Sequence, residues 1–170
     1  LAALLAPAAA LASGEEPGAA ATVFTFNEGG WPCTRIPSIV LAGNDTLLAF
    51  AECRDRTGDG CVPEHPVAAA QPKCVCMKRS RTNGATWDAA PRCVAPAGSN
   101  QPLAVYHSAT NTVVLHFNLG RFNVNSTVHQ VTSTDNGEHW GAPRSMAAAL
   151  GPNCASANAG PGRGVQLSSA

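Results

Sequence analysis

The side chains best suited to chemistry in this sequence are two arginines and an aspartate near the ends of apolar runs. Arg35 lies in the segment TRIPSIV, and Arg54 follows TLLAFAEC and opens the segment RDRTGDG, which contains Asp59. A guanidinium group donates two parallel hydrogen bonds and therefore suits a carboxylate ligand. An aspartate on a loop beside such a site can act as a general acid toward a leaving oxygen. For each arginine alone, a surface charge or a structural ion pair is the alternative.

The loop after Arg54 also resembles the beginning of a calcium-binding loop. The segment DRTGDG at 55–60 matches the opening ligand positions of such a loop, but Pro66 stands where the bidentate glutamate is required. No helix is predicted on either side. The sequence therefore disfavours an EF-hand and leaves a looser calcium site open.

Short strands must position these residues. Seven runs have the length of a strand, and several alternate polar with apolar residues. They are Val23–Phe26, Arg35–Leu41, Thr46–Glu52, Cys74–Ser80, Leu103–His107, Thr112–Phe117 and Val128–Thr134. Glycine, asparagine and proline separate them, and no sustained helical period appears apart from a turn at Ser145–Leu150. The sequence predicts an all-β fold.

One segment is repeated. SRTNGATW at Ser80–Trp87 recurs as STDNGEHW at Ser133–Trp140, with Thr82 in place of the aspartate in the first copy. The copies are about 50 residues apart, which suits four strands and their loops in one blade of a propeller. Each copy predicts a hairpin in which a strand ends at the serine, Asn-Gly turns the chain, and the tryptophan packs back.

Composition excludes two classes of protein. Hydrophobic residues make up 45% and charged residues 13%, so a wholly disordered chain is excluded. The formal net charge is +0, which provides no basic surface for nucleic acid. An acidic ligand must therefore be recognised by a few placed arginines.

The opening run LAALLAPAAALAS is typical of the apolar part and cleavage site of a secretory signal peptide. We assign residues 1–12 to a signal-peptide remnant, 13–21 to a linker and 22–170 to the folded domain. An alanine-rich linker is the alternative for 1–12. Pro7 interrupts the run, which is too short for a bilayer, so no stable membrane span is predicted.

Seven cysteines and two glycosylation sequons, beginning at Asn44 and Asn125, point to the secretory pathway. Cys74 and Cys76 flank one residue and would share a face of a strand, so they are not expected to bridge each other. The odd count leaves one thiol free or paired elsewhere. Zinc is the alternative, but no CxxC pair is present, so disulfides are favoured and no metal or other cofactor is predicted.

The order of these motifs resembles the sialidase (exo-α-sialidase, neuraminidase) family. The motifs are TRIP, FAECR, the loop aspartate and the Ser-x-Asp-x-Gly-x-x-Trp boxes. QVTSTDNGEHWGAPRSM and the final GPGRGVQL are similar to animal-type members. The resemblance covers the chain from about Thr22 onward. It implies a six-bladed β-propeller with Asp-box (BNR) hairpins, of which this chain supplies about the N-terminal half.

The resemblance also implies roles. Arg35 would be the first of three arginines that grip the carboxylate of sialic acid, and Arg54 a further pocket residue. Asp59 would protonate the glycosidic oxygen. Glu52 would line or support the pocket, and Gln101 would contact substrate. The implied partners are sialylated glycans, and the implied location is secreted, lumenal or lysosomal.

In this family hydrolysis is retaining and a tyrosine is the nucleophile. Tyr106, the only tyrosine, matches no nucleophile motif, so we expect an incomplete, inactive site. A non-catalytic sialic-acid-binding or structural propeller would use the same boxes, and a trans-sialidase would share every residue named here. The set Arg35, Arg54 and Asp59 favours the enzyme family over the binding module.

Overall fold

The computed structural model describes residues 21–69, 71–121, 124–151 and 157–167. Nine strands and one short helix form: β1 (Cys33–Leu41), β2 (Leu47–Arg54), β3 (Cys74–Ser80), β4 (Arg92–Cys93), β5 (Asn100–His107), β6 (Thr112–Leu119), β7 (Thr127–Ser133), β8 (Arg144–Ser145), α1 (Ala147–Leu150) and β9 (Gly162–Arg163). Two 3-10 turns lie at Glu28–Gly30 and Ser108–Thr110. The predicted all-β class is confirmed. The predicted leader at 1–12 and nearly all of the linker lie outside the described residues.

The strands form two antiparallel sheets in sequential order. The first has the order β1-β2-β3-β4, and the second has the order β8-β7-β6-β5 with β9 added parallel to β5. The blades of propellers are four-stranded antiparallel sheets of this kind. No sheet closes on itself within the described ranges, so a ring of six blades remains a prediction.

The main core lies between the two sheets, because alternate residues of a strand share one face. Leu48 and Phe50 of β2 are fully buried there against Leu115 and Phe117 of β6. A second cluster on the outer face of the first sheet surrounds Trp31, which is 1% exposed. The central strand β2 is therefore buried on both faces, and the face of Phe50 also presents Glu52.

The two repeated segments form equivalent turns. Their strands end at Ser80 and Ser133, whose hydroxyls each accept the N–H of the turn glycine at 2.9 Å. In the second turn Asp135 accepts the N–H of His139 at 3.0 Å, and in the first Thr82 accepts that of Thr86 at 2.8 Å. The hydroxyl of Thr82 thus replaces the carboxylate as the acceptor in the first turn.

Three disulfides link the first sheet and its loops. They join Cys33 to Cys61, Cys53 to Cys76 and Cys74 to Cys93. As expected, Cys74 and Cys76 do not bridge each other. The seventh cysteine, Cys154, lies outside the described residues.

The predicted strand at Val23–Phe26 is wrong. Residues 23–26 pair with no strand, although Phe24 packs on the cluster around Trp31. Strand length and β-type residues predicted this strand, and neither supplies a partner strand for the hydrogen bonds. The turn expected at Ser145–Leu150 contains α1. No helix in the described part of the chain has the length and apolar character needed to cross a membrane.

Candidate active site

Arg35, Arg54 and Asp59 form one ion-pair cluster. Atom Oδ2 of Asp59 lies 2.7 Å from Nη1 of Arg35 and 3.0 Å from Nη1 of Arg54. Arg35 also donates to the backbone carbonyl of Asp59. The side chains become more exposed from Arg54 (16%) to Arg35 (35%) to Asp59 (75%). Two arginines from neighbouring strands therefore hold one carboxylate oxygen at the protein surface.

Glu52 lies behind this cluster and is 2% exposed. Its Oε2 accepts from Nε and Nη2 of Arg54 at 2.9 and 2.8 Å. Its Oε1 accepts the backbone N–H of Gln101, at the start of β5, at 3.0 Å. Because Glu52 occupies the face of β2 that meets the second sheet, one buried carboxylate both orients Arg54 and joins the two sheets.

The cluster keeps Asp59 ionised. Hydrogen bonds from Arg54 and then from Arg35 lower the pKa of the Asp59 carboxyl below its ordinary value of 3.8, and the charge of Arg35 adds to this. Burial acts to lower the pKa of Arg54, but hydrogen bonds to Asp59 and Glu52 outweigh burial and raise it. In this arrangement Asp59 is an anion at neutral pH and a poor proton donor.

The backbone that presents Asp59 is a tight turn. Gly58 and Cys61 exchange both backbone hydrogen bonds, at 2.9 and 3.0 Å, and Asp59 and Gly60 between them have φ of 51° and 78°. Positive φ at both central positions is typical of a type I′ turn, for which Asp-Gly is a favoured pair. The disulfide from Cys61 to Cys33 then ties this turn to the first residue of β1, the strand of Arg35.

Bulges interrupt the first strand of each sheet at the site. The ladder shifts register between Arg35 and Ser38 in β1, and again between Asn100 and Leu103 in β5. Within them Ile36 and Gln101 have φ of 56° and 55°, and each precedes a proline. A left-handed conformation is unfavourable for a β-branched residue such as Ile36. Such strain and such bulges are frequent beside functional sites.

The structure brings the five predicted site residues into one region. Arg35, Arg54, Asp59 and Glu52 interact through their side chains, whereas Gln101 joins through its backbone N–H. Tyr106 lies outside this cluster, and its hydroxyl donates to Asn111 at 2.9 Å. No group of three His, Cys, Asp or Glu side chains in the described ranges could hold a metal ion.

Two features of the site were not predicted from the sequence. Gly58 and Gly60 indicate a turn around Asp59, but nothing in the spacing of the cysteines indicates that Cys61 pairs with Cys33. Residues 54–59 also form a cleft of about 340 Å³ that is completed by Lys73, which directly precedes β3. No sequence motif indicates that the chain brings Lys73 back to residues 54–59.

Comparison with known proteins relates this geometry to a fold. No family model matches the chain. A Hadza microbial sialidase matches 81% of this chain and 31% of its own length, with a TM-score of 0.63 at 16% identity. The sialidase of Trypanosoma rangeli in complex with 2,3-difluorosialic acid matches 81% and 25%, with a TM-score of 0.55 at 18% identity. The chain thus spans about a quarter to a third of these structures, and its fold is sialidase-like.

Proposed function

We propose that the chain contributes part of the carboxylate-binding and proton-donating machinery of a retaining exo-sialidase, which releases terminal sialic acid from glycoconjugates. Arg35 and Arg54 bind the sugar carboxylate, Asp59 protonates the glycosidic oxygen, Glu52 orients Arg54, and Gln101 contacts the substrate. The observation that supports this most directly is the pair of arginine Nη1 atoms on one carboxylate oxygen. The sialidase-like fold supports it independently.

In this proposal Asp59 occupies the position of the substrate carboxylate when the site is empty. A bound sialic acid exchanges with Asp59 at Arg35 and Arg54. Asp59 then loses the hydrogen bonds that lower its pKa, so its pKa rises toward its ordinary range and the carboxyl becomes able to take up and donate a proton. Because Asp59 is highly exposed on a tight turn, it can leave the arginines without disturbing buried residues.

The proton from Asp59 goes to the leaving oxygen as the glycosidic bond breaks. The resemblance assigns the attack to a tyrosine, and Tyr106 is hydrogen-bonded to Asn111 away from the cluster. The proposal therefore assigns carboxylate binding and proton transfer to this chain, and no nucleophile. We expect it to bind sialic acid without turning over a fluorogenic sialoside.

The test is calorimetric titration of the oxidised chain with N-acetylneuraminic acid and with its methyl ester. The acid should bind and the ester should bind much more weakly, because the ester offers no anion to the arginines. Arg35→Ala should abolish the difference, whereas Arg144→Gln, a surface substitution on β8, should retain it. Equal binding of acid and ester would contradict the proposal. The same difference in affinity between acid and ester in Arg35→Ala and in Arg144→Gln would also contradict it.

We also propose that the protein passes through the secretory pathway. Three disulfides fit an oxidising compartment. Both sequon asparagines are exposed, Asn44 in the turn between β1 and β2 and Asn125 just before β7. Secreted protein from animal cells should lose mass on treatment with an N-glycosidase, and unchanged mass would count against N-glycosylation.

A further inference from the structure

The tight turn that presents Asp59 also borders a cleft. Arg35 contacts Asp59 but does not line this cleft, which is formed by residues 54–59 and closed by Lys73. Its volume of about 340 Å³ is at the lower end of the range for small-molecule sites, and is large enough for a single sugar. Asp59 and Arg54 therefore border two regions, one containing Arg35 and one opening into the cleft.

The cleft contains two cations without acidic partners. Arg54 and Asp59 are engaged with Glu52 and Arg35. By contrast, neither Arg56 nor Lys73 makes an ion pair within the described part of the chain. Asp55 is the one other acidic residue of the lining. The unpaired charge of the cleft is thus positive in a protein whose formal net charge is +0.

We propose that this cleft binds an anionic leaving group, namely a sugar that carries a carboxylate or a sulfate of its own. The inference rests on the proposed function, in which Asp59 protonates the oxygen between the released sugar and the rest of the substrate. A general acid in that role lies between two subsites. Arg54 and Asp59 border the cleft, whereas Arg35 does not line it. The region of Arg35 is therefore assigned to the released sialic acid, and the cleft to the leaving group.

The chemistry of the lining suits such a group. Arg56 presents a planar fork for two oxygens of a carboxylate or sulfate, and Lys73 adds a compact charge. The hydroxyl of Thr57, which also lines the cleft, can donate a further hydrogen bond. Disialosides, in which the second sugar has its own carboxylate, and sialosides of sulfated sugars share this chemistry.

The experiment compares three sialosides by calorimetric titration at low ionic strength. The first is an α2,8-linked disialoside, the second is the same compound with the inner carboxylate converted to an amide, and the third is a sialyllactose with a sulfate on galactose. The two compounds with an anionic leaving group should bind about fivefold more tightly than the amide, as expected for exposed ion pairs. The advantage should shrink at high salt. The relative affinities of carboxylate and sulfate compounds identify the preferred anion.

The double variant Arg56→Gln/Lys73→Gln should bind all three compounds like the amide, whereas Arg144→Gln should behave like the wild type. If the amide binds and neither anionic compound gains over it, the inference is wrong while the proposed function stands. If none of the compounds binds, the proposed function itself fails and the inference fails with it. A gain that persists in the double variant would also refute the role of this cleft.

Discussion

Replacing Glu52 by alanine should be among the most destabilising single changes in the first sheet. The carboxylate is buried and accepts three hydrogen bonds, two from Arg54 and one from the backbone of Gln101. Alanine leaves the guanidinium group with Asp59 as its remaining partner and leaves the Gln101 N–H without an acceptor. The change therefore affects both the binding cluster and the contact between the sheets.

The magnitude follows from burial. Removing one partner of a buried ion pair costs about 3–5 kcal/mol. Arg54 retains Asp59 and 16% exposure, so the lower end, about 3 kcal/mol, applies. The unpaired N–H of Gln101 adds about 1 kcal/mol. The sum of about 4 kcal/mol is a large part of the stability of an ordinary domain, which is about 5–15 kcal/mol. Glu52→Gln preserves shape and one acceptor and should lose about 2 kcal/mol.

The assay is urea unfolding of the oxidised chain at neutral pH, followed by tryptophan fluorescence. Glu64→Ala is the matched control, because its side chain is 91% exposed and contacts an equally exposed His65. It should leave the free energy of unfolding within about 0.5 kcal/mol of wild type. In the folded variants, hydrogen exchange at Nε of Arg54 reports on the pair directly and should accelerate in Glu52→Ala.

Two results would refute this reasoning. One is a free energy of unfolding for Glu52→Ala within about 1 kcal/mol of the wild-type value, because removing a buried carboxylate that joins two sheets should destabilise the fold by more than that. The other is unchanged hydrogen exchange at Nε of Arg54, which would show that Glu52 does not orient it.

Three further changes test other parts of the site and fold. Asp59→Asn removes the internal competitor for the arginines and should tighten binding of free N-acetylneuraminic acid at pH 7 in calorimetry; weaker binding would contradict carboxylate exchange. The backbone N–H of His139, together with further hydrogen bonds, holds the pKa of the Asp135 carboxyl well below its ordinary value of 3.8. The ionised carboxylate therefore stabilises the fold above pH 3.8, and this stabilisation is lost as the pH falls below that value. In Asp135→Asn, the free energy of unfolding measured in urea should depend less on pH in the acid range than it does in the wild type. The same pH dependence in both proteins would contradict this prediction. Replacing Cys33 and Cys61 by serine should release the turn, so NMR titration should show a higher pKa for the Asp59 carboxyl. Removal of the disulfide between β3 and β4 is the control and should leave that pKa unchanged. If both changes raise the pKa equally, the disulfide between Cys33 and Cys61 has no special role in holding Asp59.

The sequence was sufficient to predict most of the strands, because their signals are local. Runs of strand length, several of them alternating polar with apolar residues, located β2, β3, β6 and β7 to within one or two residues. The two-residue strands β4, β8 and β9 contain too few residues to alternate, and they exist because a longer neighbouring strand offers free hydrogen-bonding groups. Val23–Phe26 shows the converse, since a strand-like segment without a neighbour forms no ladder.

The candidate site divides in the same way. Residue type and position next to turns were enough to single out Arg35, Arg54 and Asp59 as candidates. Few other side chains can donate two parallel hydrogen bonds to a carboxylate, as arginine does, or act as a general acid, as a loop aspartate can. What only the tertiary structure decided is how they meet: which cysteine ties down the turn of Asp59, that the buried carboxylate of Glu52 reaches the backbone of the second sheet, and that Lys73 returns to close a cleft. Those contacts join residues far apart in the chain, and their geometry depends on how two sheets pack, which no local pattern encodes.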